Sequence, residues 1–129
     1  MRVAYVDTSC LVAIVLGEPG GPALARRLEG FDRLLSSNLL EAELATALVR
    51  EGVDPGGGSA VDRIDWVLPP VPLGREIERV LAVGYARGAD VWHLACALWV
   101  QERLATLELV TLDARQRELA HELGLAAAS

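Results

Sequence analysis

A short apolar run that ends in a carboxylate opens the chain, and few folds accommodate such a pattern. Residues 3–6 are Val-Ala-Tyr-Val, and Asp7, Thr8 and Ser9 follow directly. A continuous apolar run of this length is typical of a strand that is buried on both faces, as strands are in parallel sheets. Apolar side chains then recur at helical spacing up to Leu16. The sequence therefore predicts a buried strand that is followed at once by a helix.

The rest of the chain alternates between short apolar runs and segments of helical periodicity. We predict strands at residues 34–35 and 107–112, and a proline-interrupted extended segment at 67–73 that suits a sheet edge. A surface turn is predicted at 52–58, and Gly124 is the predicted cap of the last helix. Helices are predicted at residues 22–28, 39–50, 60–66, 75–87, 91–100 and 114–123. Such alternation predicts a three-layer α/β fold with a central parallel sheet flanked by helices.

Composition limits the class of protein. The chain has 129 residues, of which 52% are hydrophobic and 23% charged, and this fits a single domain over residues 1–129. No apolar run reaches the ~18 residues of a membrane span, and Asp7 interrupts the N-terminus before a signal peptide could form. We therefore expect a cytoplasmic protein without a membrane segment. The basic residues include no lysine, which excludes P-loop and Schiff-base chemistry.

Several side chains have an ordinary explanation as core residues. Cys10 and Cys96 lie in apolar periodic segments, where cysteine packs as a small hydrophobic residue. His93 lies in the most apolar helix, so we predict a hydrogen-bonded core residue and not an acid or base. The three tryptophans are predicted to pack in the core, with anchoring of a partner as the alternative. They are Trp66, Trp92 and Trp99.

Three aspartates share the same predicted setting. Asp7, Asp90 and Asp113 each lie at the end of a predicted strand or at the start of a predicted helix. In parallel α/β sheets the ligand site lies at this edge, so the three carboxylates can meet there. Aspartate is also a preferred helix N-cap, which is the alternative for each residue taken singly. Capping explains Asp7 least well, because a carboxylate buried after an apolar strand needs a partner, most simply a cation.

A fourth acid lies on the predicted helix at residues 39–50. At 3.6 residues per turn, Glu43 falls within the arc of this helix that faces inward, and Glu41 lies close to the same arc. Either residue can instead be a solvated carboxylate at the edge of the helix. Periodicity does not choose between them.

Four short segments occur in a characteristic order along the chain. They are Tyr5-Val6-Asp7-Thr8-Ser9, Ser37 followed by Glu43-Leu44-Ala45-Thr46-Ala47-Leu48, Arg87-Gly88-Ala89-Asp90-Val91-Trp92-His93-Leu94-Ala95, and Val110-Thr111-Leu112-Asp113. In this order they resemble a PIN domain of the VapC toxin type. The likeness spans almost the whole chain.

The resemblance implies a metal-dependent ribonuclease that is the toxin of a bacterial toxin–antitoxin pair. It places the four acids of the family on Asp7, Glu43, Asp90 and Asp113, and so favours Glu43 over Glu41. Ser9 and Thr111 match the hydroxyl residues that support the ligands or a bound water. Carboxylates are hard oxygen ligands, which select Mg²⁺ or Mn²⁺ over zinc. Such ions suit the hydrolysis of a phosphodiester bond.

The resemblance also implies partners. These are an RNA substrate, a VapB-like antitoxin that covers the acidic site, and a second copy of the chain in a homodimer, with operator DNA bound only through the antitoxin. One departure is the formal net charge of −6, which disfavours binding of a polyanion. Arg87, Arg115 and Arg117 lie near the acids in sequence, as phosphate contacts or as ordinary surface arginines.

Three other functions are compatible with parts of the pattern. The first is a non-catalytic PIN-like scaffold that acts through antitoxin binding and oligomerisation, although all four acids are present. The second is a dehalogenase-like phosphatase, which is disfavoured by Ser9 in place of a second aspartate and by the lack of lysine. The third is a DNA-directed nuclease of the same fold, for which the chain lacks long insertions.

Overall fold

Five strands form one all-parallel sheet in the computed structural model, which describes residues 1–56 and 60–128. They are β1 (Val3–Val6), β2 (Arg33–Ser37), β3 (Ile64–Val67), β4 (Glu108–Val110) and β5 (Ala126–Ala128). Their order in the sheet is β3-β2-β1-β4-β5. The central strand is fixed by its neighbours, because Tyr5 lies opposite Leu35 on β2 and Leu109 on β4. The predicted parallel sheet is confirmed.

Six helices in the described residues cover the two faces of this sheet. They are α1 (Thr8–Val15), α2 (Gly21–Glu29), α3 (Leu39–Arg50), α4 (Gly74–Val83), α5 (Gly88–Gln101) and α6 (Ala114–Glu122). Because side chains alternate along a strand, Val3 and Tyr5 pack with α4 to α6, while Ala4 and Val6 pack with α1 to α3. The three-layer arrangement is confirmed.

The expected core residues are buried. Cys10 and Cys96 are free thiols without solvent exposure. The three tryptophans are half-buried and pack against the two core clusters from outside, so the predicted core packing is met only in part. Gly124 follows α6 with a φ of +79°, a left-handed conformation that suits glycine, and it caps the helix as predicted. Among the residues that the structure describes, no helix has the length and hydropathy needed to span a bilayer.

The strand order creates a crevice at the carboxyl edge of the sheet. From β1 the chain winds outward to β2 and β3 on one side, and from β4 it continues to β5 on the other side. The connections that leave β1 and β4 therefore diverge, which is the point where open α/β sheets bind their ligands. Asp7 follows β1 and Asp113 follows β4, so both residues lie at this crevice.

The predicted helix at residues 60–66 is wrong. Residues 60–63 form turns, and Ile64–Val67 is β3, which pairs in parallel with β2 from Leu34↔Ile64 to Ser37↔Val67. Only Ile64 and Val67 of this strand are buried. A segment of four residues is too short for its hydrophobic period to distinguish a strand from a helix. The extended segment predicted at 67–73 follows the strand instead of forming it.

Several boundaries also differ. The helix predicted at 75–87 ends at Val83, because Gly84 has an extended backbone and the chain leaves the helix there. The last helix of the prediction is followed by β5, which was not predicted, because its three alanines carry no strand signal. Gly57 and Gly58 of the predicted surface turn lie outside the described residues.

Candidate active site

Asp7 lies at the end of β1, where the strand passes into α1. Its side chain is buried and accepts hydrogen bonds from the Ser9 backbone N–H (3.1 Å) and from the Ser9 hydroxyl (2.5 Å). The Thr111 hydroxyl donates to its second oxygen. Burial raises the pKa of Asp7, and the three hydrogen bonds only partly oppose this effect. Asp7 is thus both an N-cap and a buried carboxylate without a cationic partner among these contacts.

Asp113 begins α6 just after β4. Its Oδ1 accepts hydrogen bonds from the backbone N–H groups of Arg115 (2.8 Å) and Gln116 (3.2 Å), as an N-cap does. Its own N–H donates to the Thr111 hydroxyl oxygen over 3.0 Å. The Thr111 hydroxyl therefore links the Asp7 side chain to the Asp113 backbone.

Asp90 lies in the first turn of α5 and not at its first residue. The helix begins at Gly88, so the N-cap is Arg87, and the predicted start at residue 91 was three residues late. The backbone carbonyl of Asp90 accepts a hydrogen bond from the Gln116 side chain (3.0 Å), which ties α5 to α6. Burial and the nearby charge of Asp113 raise the pKa of Asp90, while Arg87 opposes the shift.

The structure distinguishes Glu43 from Glu41. Glu43 accepts hydrogen bonds from the Thr8 hydroxyl (2.7 Å) and from His93 Nε2 (2.8 Å). The bond from His93 is the main reason that the pKa of Glu43 is lowered. Glu41 is exposed and lines a separate groove between α3 and the following loop. Of the two acids, only Glu43 faces the carboxyl edge of the sheet.

His93 connects Glu43 to the core. It is 2% exposed, and its Nδ1 lies 2.8 Å from the Tyr5 hydroxyl, whose oxygen accepts a hydrogen bond from the Ser37 N–H (3.0 Å). An ionised Glu43 can only accept, so His93 Nε2 carries a proton and donates to Glu43. The predicted role of His93 as a hydrogen-bonded core residue is confirmed. The structure adds that it orients Glu43, which is a role the sequence did not predict.

All four acids line one small cavity. Its volume is about 170 Å³, and the remaining lining residues are Thr8, Ser9, Arg87 and His93. Within residues 1–56 and 60–128, no group of three His, Cys, Asp or Glu side chains is close enough together to hold a metal ion as the side chains stand. The arrangement is an open group of carboxylates, in which two members have a raised pKa.

This donor set fits a hard divalent cation. Mg²⁺ keeps several of its waters and is usually bound by only a few protein carboxylates, so an open site suits it better than a cage. Asp7 and Asp90 are destabilised by burial, and Asp90 also by the charge of Asp113. A bound cation would relieve both effects. The imidazole of His93 is already occupied by Glu43 and Tyr5, which disfavours zinc.

Comparison with known proteins agrees with this architecture. The PIN domain family matches residues 4–122. The chain belongs to the PIN domain family. It is also 32% identical to a protein named Ribonuclease VapC46 from Mycobacterium tuberculosis, in an alignment of 134 residues that covers 98% of this chain and 96% of that relative. The resemblance inferred from the four sequence segments is therefore confirmed.

Residues beside the acids complete the picture of this PIN domain. Arg87 and Arg115 line a groove that contains Asp90 and Asp113. Arg117 instead donates to the backbone carbonyl of Thr111 over 2.9 Å.

Two residues of the site were not predicted from the sequence. They are Thr8, which donates to Glu43, and Tyr5, which contacts His93. No spacing rule could reveal them, because the partners lie 35 and 88 positions apart in the chain.

Proposed function

We propose that this PIN domain is a divalent-metal-dependent endoribonuclease that acts as the toxin of a bacterial toxin–antitoxin pair. The observation that carries the proposal is the cavity in which Asp7, Glu43, Asp90 and Asp113 meet. They come from four separate positions in the fold: the ends of β1 and β4, the middle of α3 and the first turn of α5. The relative named as a ribonuclease supports the same activity.

Each acid has a distinct proposed role. Asp7 would be the central ligand of Mg²⁺ or Mn²⁺, because its two oxygens are held by Ser9 and Thr111. Glu43 and Asp90 would complete the ligand set, directly or through water. Asp113 would hold a second ion or orient the attacking water, since both of its cap bonds end on Oδ1.

The reaction that this site suits is hydrolysis of an RNA phosphodiester. A bound divalent cation would stabilise the charge that develops on the phosphate and would lower the pKa of a bound water. The chain itself supplies orientation, because the three hydrogen bonds to Asp7 and the two to Glu43 fix these carboxylates before substrate binds. Oxygen from water would bond to phosphorus as the bond to the leaving ribose oxygen breaks.

We also propose the partners that accompany this activity. They are a VapB-like antitoxin that covers the acidic site, a second copy of the chain in a homodimer, and operator DNA that is bound only through the antitoxin. The similarity to a relative with the VapC name supports this assignment. A toxin that acts on cellular RNA would work in the cytoplasm.

The decisive experiment is cleavage of a mixed RNA pool by the purified chain. Reactions contain Mg²⁺ or Mn²⁺, and parallel reactions contain EDTA. We expect Asp7→Asn to reduce the rate by about 100-fold or more, because the loss even of groups that only support a metal ligand costs 10- to 100-fold. The matched control is Asp65→Asn, which removes an exposed carboxylate paired with Arg33 on neighbouring strands, and it should cleave as the wild type does.

The possible results separate the candidate functions. Cleavage that resists EDTA and Asp7→Asn would come from a contaminating ribonuclease and would contradict the proposal. Folded protein that binds Mn²⁺ and an antitoxin but cleaves no RNA would instead favour the non-catalytic scaffold. A protein that binds no divalent ion would overturn the metal site itself.

A further inference from the structure

A second groove opens next to the acid cavity, on the side of α6. We call it the Tyr85 groove; it has a volume of about 360 Å³ and is lined by Tyr85, Ala86, Arg87, Arg115 and Gln116 together with Asp90 and Asp113. The last two residues also line the acid cavity. A ligand whose reacting group sat among the acids could therefore extend directly into this groove.

Two side chains of the Tyr85 groove face solvent. Tyr85 is 78% exposed although most aromatic residues of the chain are buried or half-buried. The Arg87 side chain is 84% exposed, and its guanidinium lies 3.9 Å from the Asp90 carboxylate, a distance too long for a strong ion pair. An exposed aromatic ring and an exposed guanidinium that line one groove are the combination that stacks bases and binds phosphates of single-stranded nucleic acid.

The backbone that carries Tyr85 is held in place by α6. Arg115 Nη2 donates to the Tyr85 carbonyl (3.4 Å), and Arg115 Nη1 to Glu118 (3.3 Å). A Cβ atom on Gly84 would lie 2.5 Å from Arg115 Nη2 and 2.9 Å from Leu119 Cδ2. A side chain at residue 84 would therefore require the ends of the Arg115 and Leu119 side chains to move. The contacts of Arg115 connect the segment that carries Tyr85 to α6.

The groove on the opposite side of the acids has a different character. It has a volume of about 670 Å³, runs between α1 and α3, and includes Glu43 and Asp113. Its charged residues farther from the acids are Glu18 and Arg50, which have opposite signs, and its lining contains no aromatic ring. The acid cavity lies between the two grooves, so the side chains suited to a nucleotide are concentrated on one side of it.

We propose that the Tyr85 groove binds one unpaired nucleotide of the substrate, adjacent to the phosphate that lies among the acids. The Tyr85 ring stacks on the base, Arg87 contacts the phosphate of that nucleotide, and Arg115 positions the segment that carries both. That the nucleotide belongs to RNA rests on the proposed function. In a chain with a net charge of −6, Arg87 and the Tyr85 ring would hold the substrate strand locally.

Binding can be measured without cleavage. The probe is a fluorescein-labelled single-stranded RNA of 12 mixed nucleotides, and the protein carries Asp7→Asn and is assayed by fluorescence anisotropy in EDTA. We expect Tyr85→Ala to raise Kd by about 5- to 100-fold, the effect of losing one base stack, and Tyr85→Phe to leave Kd within about twofold. Arg87→Ala should reduce the slope of log Kd against log salt by about 0.7.

Two controls test the assignment. Arg33→Ala removes an arginine at the start of β2, at the opposite edge of the sheet, and should leave Kd nearly unchanged. A blunt duplex of the same RNA offers no free base, so Tyr85→Ala should not weaken its binding. Equal affinities of the parent and the Tyr85→Ala protein would overturn the subsite, as would the same loss with Tyr85→Phe or no binding of the probe at all.

The outcomes also separate this subsite from the nuclease activity. In a protein that cleaves RNA, Tyr85→Ala should raise KM and leave kcat nearly unchanged, because the ring touches no reacting atom. Cleavage with an unchanged KM would overturn the subsite and leave the activity standing. Tyr85-dependent binding by a wild-type protein that never cleaves would support the subsite and contradict the nuclease.

Discussion

Asp7 and Glu43 line the same cavity, but the protein supports their charges in different ways. Asp7 is buried, and its partners are neutral donors: the hydroxyls of Ser9 and Thr111 and one backbone N–H. Burial outweighs these bonds and raises its pKa. Glu43 is half-buried and accepts from the His93 imidazole, which lowers its pKa.

The difference indicates which carboxylate of the site a bound cation would stabilise most. Hydrogen bonds from neutral groups compensate only part of the free energy that an ionised carboxylate loses on leaving water. Glu43 keeps access to solvent and has a basic neighbour, so its charge is stable in the protein alone. Asp7 is more deeply buried and makes no direct hydrogen bond to His93, whose nearby charge only partly opposes the rise in the pKa of Asp7, so a bound cation would favour its ionised form. Substitutions at Asp7 and at the residues that support Glu43 should therefore have different effects.

The largest expected effect is stabilisation by a divalent ion. At a Mn²⁺ concentration of 100 times its Kd, the wild type should gain about 2.7 kcal/mol in its free energy of unfolding. The Asp7→Asn protein should gain almost nothing, yet in EDTA its Tm should exceed that of the wild type, because a buried charge has been removed. Urea denaturation with and without Mn²⁺ measures the gain in free energy and differential scanning fluorimetry measures Tm, and Asp65→Asn should behave as the wild type in each. An undiminished Mn²⁺ response of Asp7→Asn would contradict the contrast.

A smaller effect is expected from the support behind Glu43. Tyr5→Phe leaves the buried Ser37 N–H and His93 Nδ1 without their shared partner, which should cost about 1 to 3 kcal/mol in urea denaturation. Tyr85→Phe is the matched control, since that hydroxyl is exposed, and it should change stability by less than about 0.5 kcal/mol. If the two substitutions had equal effects, the Tyr5–His93 contact would contribute nothing.

The smallest effect is a difference in pH dependence in EDTA. The pKa of Asp7 is raised above its ordinary value of 3.8 in the folded protein. The folded state therefore binds this proton more tightly than the unfolded state does, and the free energy of unfolding falls as pH rises from 3.8 towards the folded-state pKa. The pKa of Glu43 is lowered below 4.5, so its contribution is complete above that pH and is lost as pH falls through the folded-state pKa.

The two substitutions should therefore change stability in opposite directions. Near pH 7, Asp7→Asn should be more stable than the wild type and Glu43→Gln less stable. Both differences should shrink as the pH is lowered past the ordinary pKa values of the two acids. A series of Tm measurements from pH 3 to pH 8 tests this, and differences of the same sign at neutral pH would show that the two sides are equivalent.

The sequence predicted most of the elements that place the acids. The strands that become β1 and β4 are apolar runs, and the residues that follow them, Asp7 and Asp113, have the chemistry of N-caps and of metal ligands at once. The structure shows that they do cap their helices, so the two explanations are compatible. The choice of Glu43 required more than the helical period, because the inward arc of its helix is wide enough for Glu41 as well. The family resemblance favoured Glu43. In the structure, α3 packs beside Thr8 and places Glu43 at the cavity.

The wrong or missing predictions concern segments whose local sequence pattern carries little information about secondary structure. The segment at 60–63 with β3 was predicted as a helix, and its strand exists because β2 offers an unpaired edge. The alanines of β5 pair with β4 in the same way. In both of these short edge strands, hydrogen bonding to a neighbouring strand outweighs a weak local propensity for the β conformation.

The amino-acid sequence by itself determined the class of the fold and the kind of chemistry available: buried parallel strands, helices with acidic caps, no lysine, and oxygen ligands suited to Mg²⁺ or Mn²⁺. The tertiary structure decided what those residues do to one another. Only the strand order brings β1 beside β4, and only the packing of α3 and α5 across that edge gives Glu43 a direct hydrogen bond to His93, which Asp7 lacks. Such effects depend on distance and burial, which arise between residues far apart in the chain.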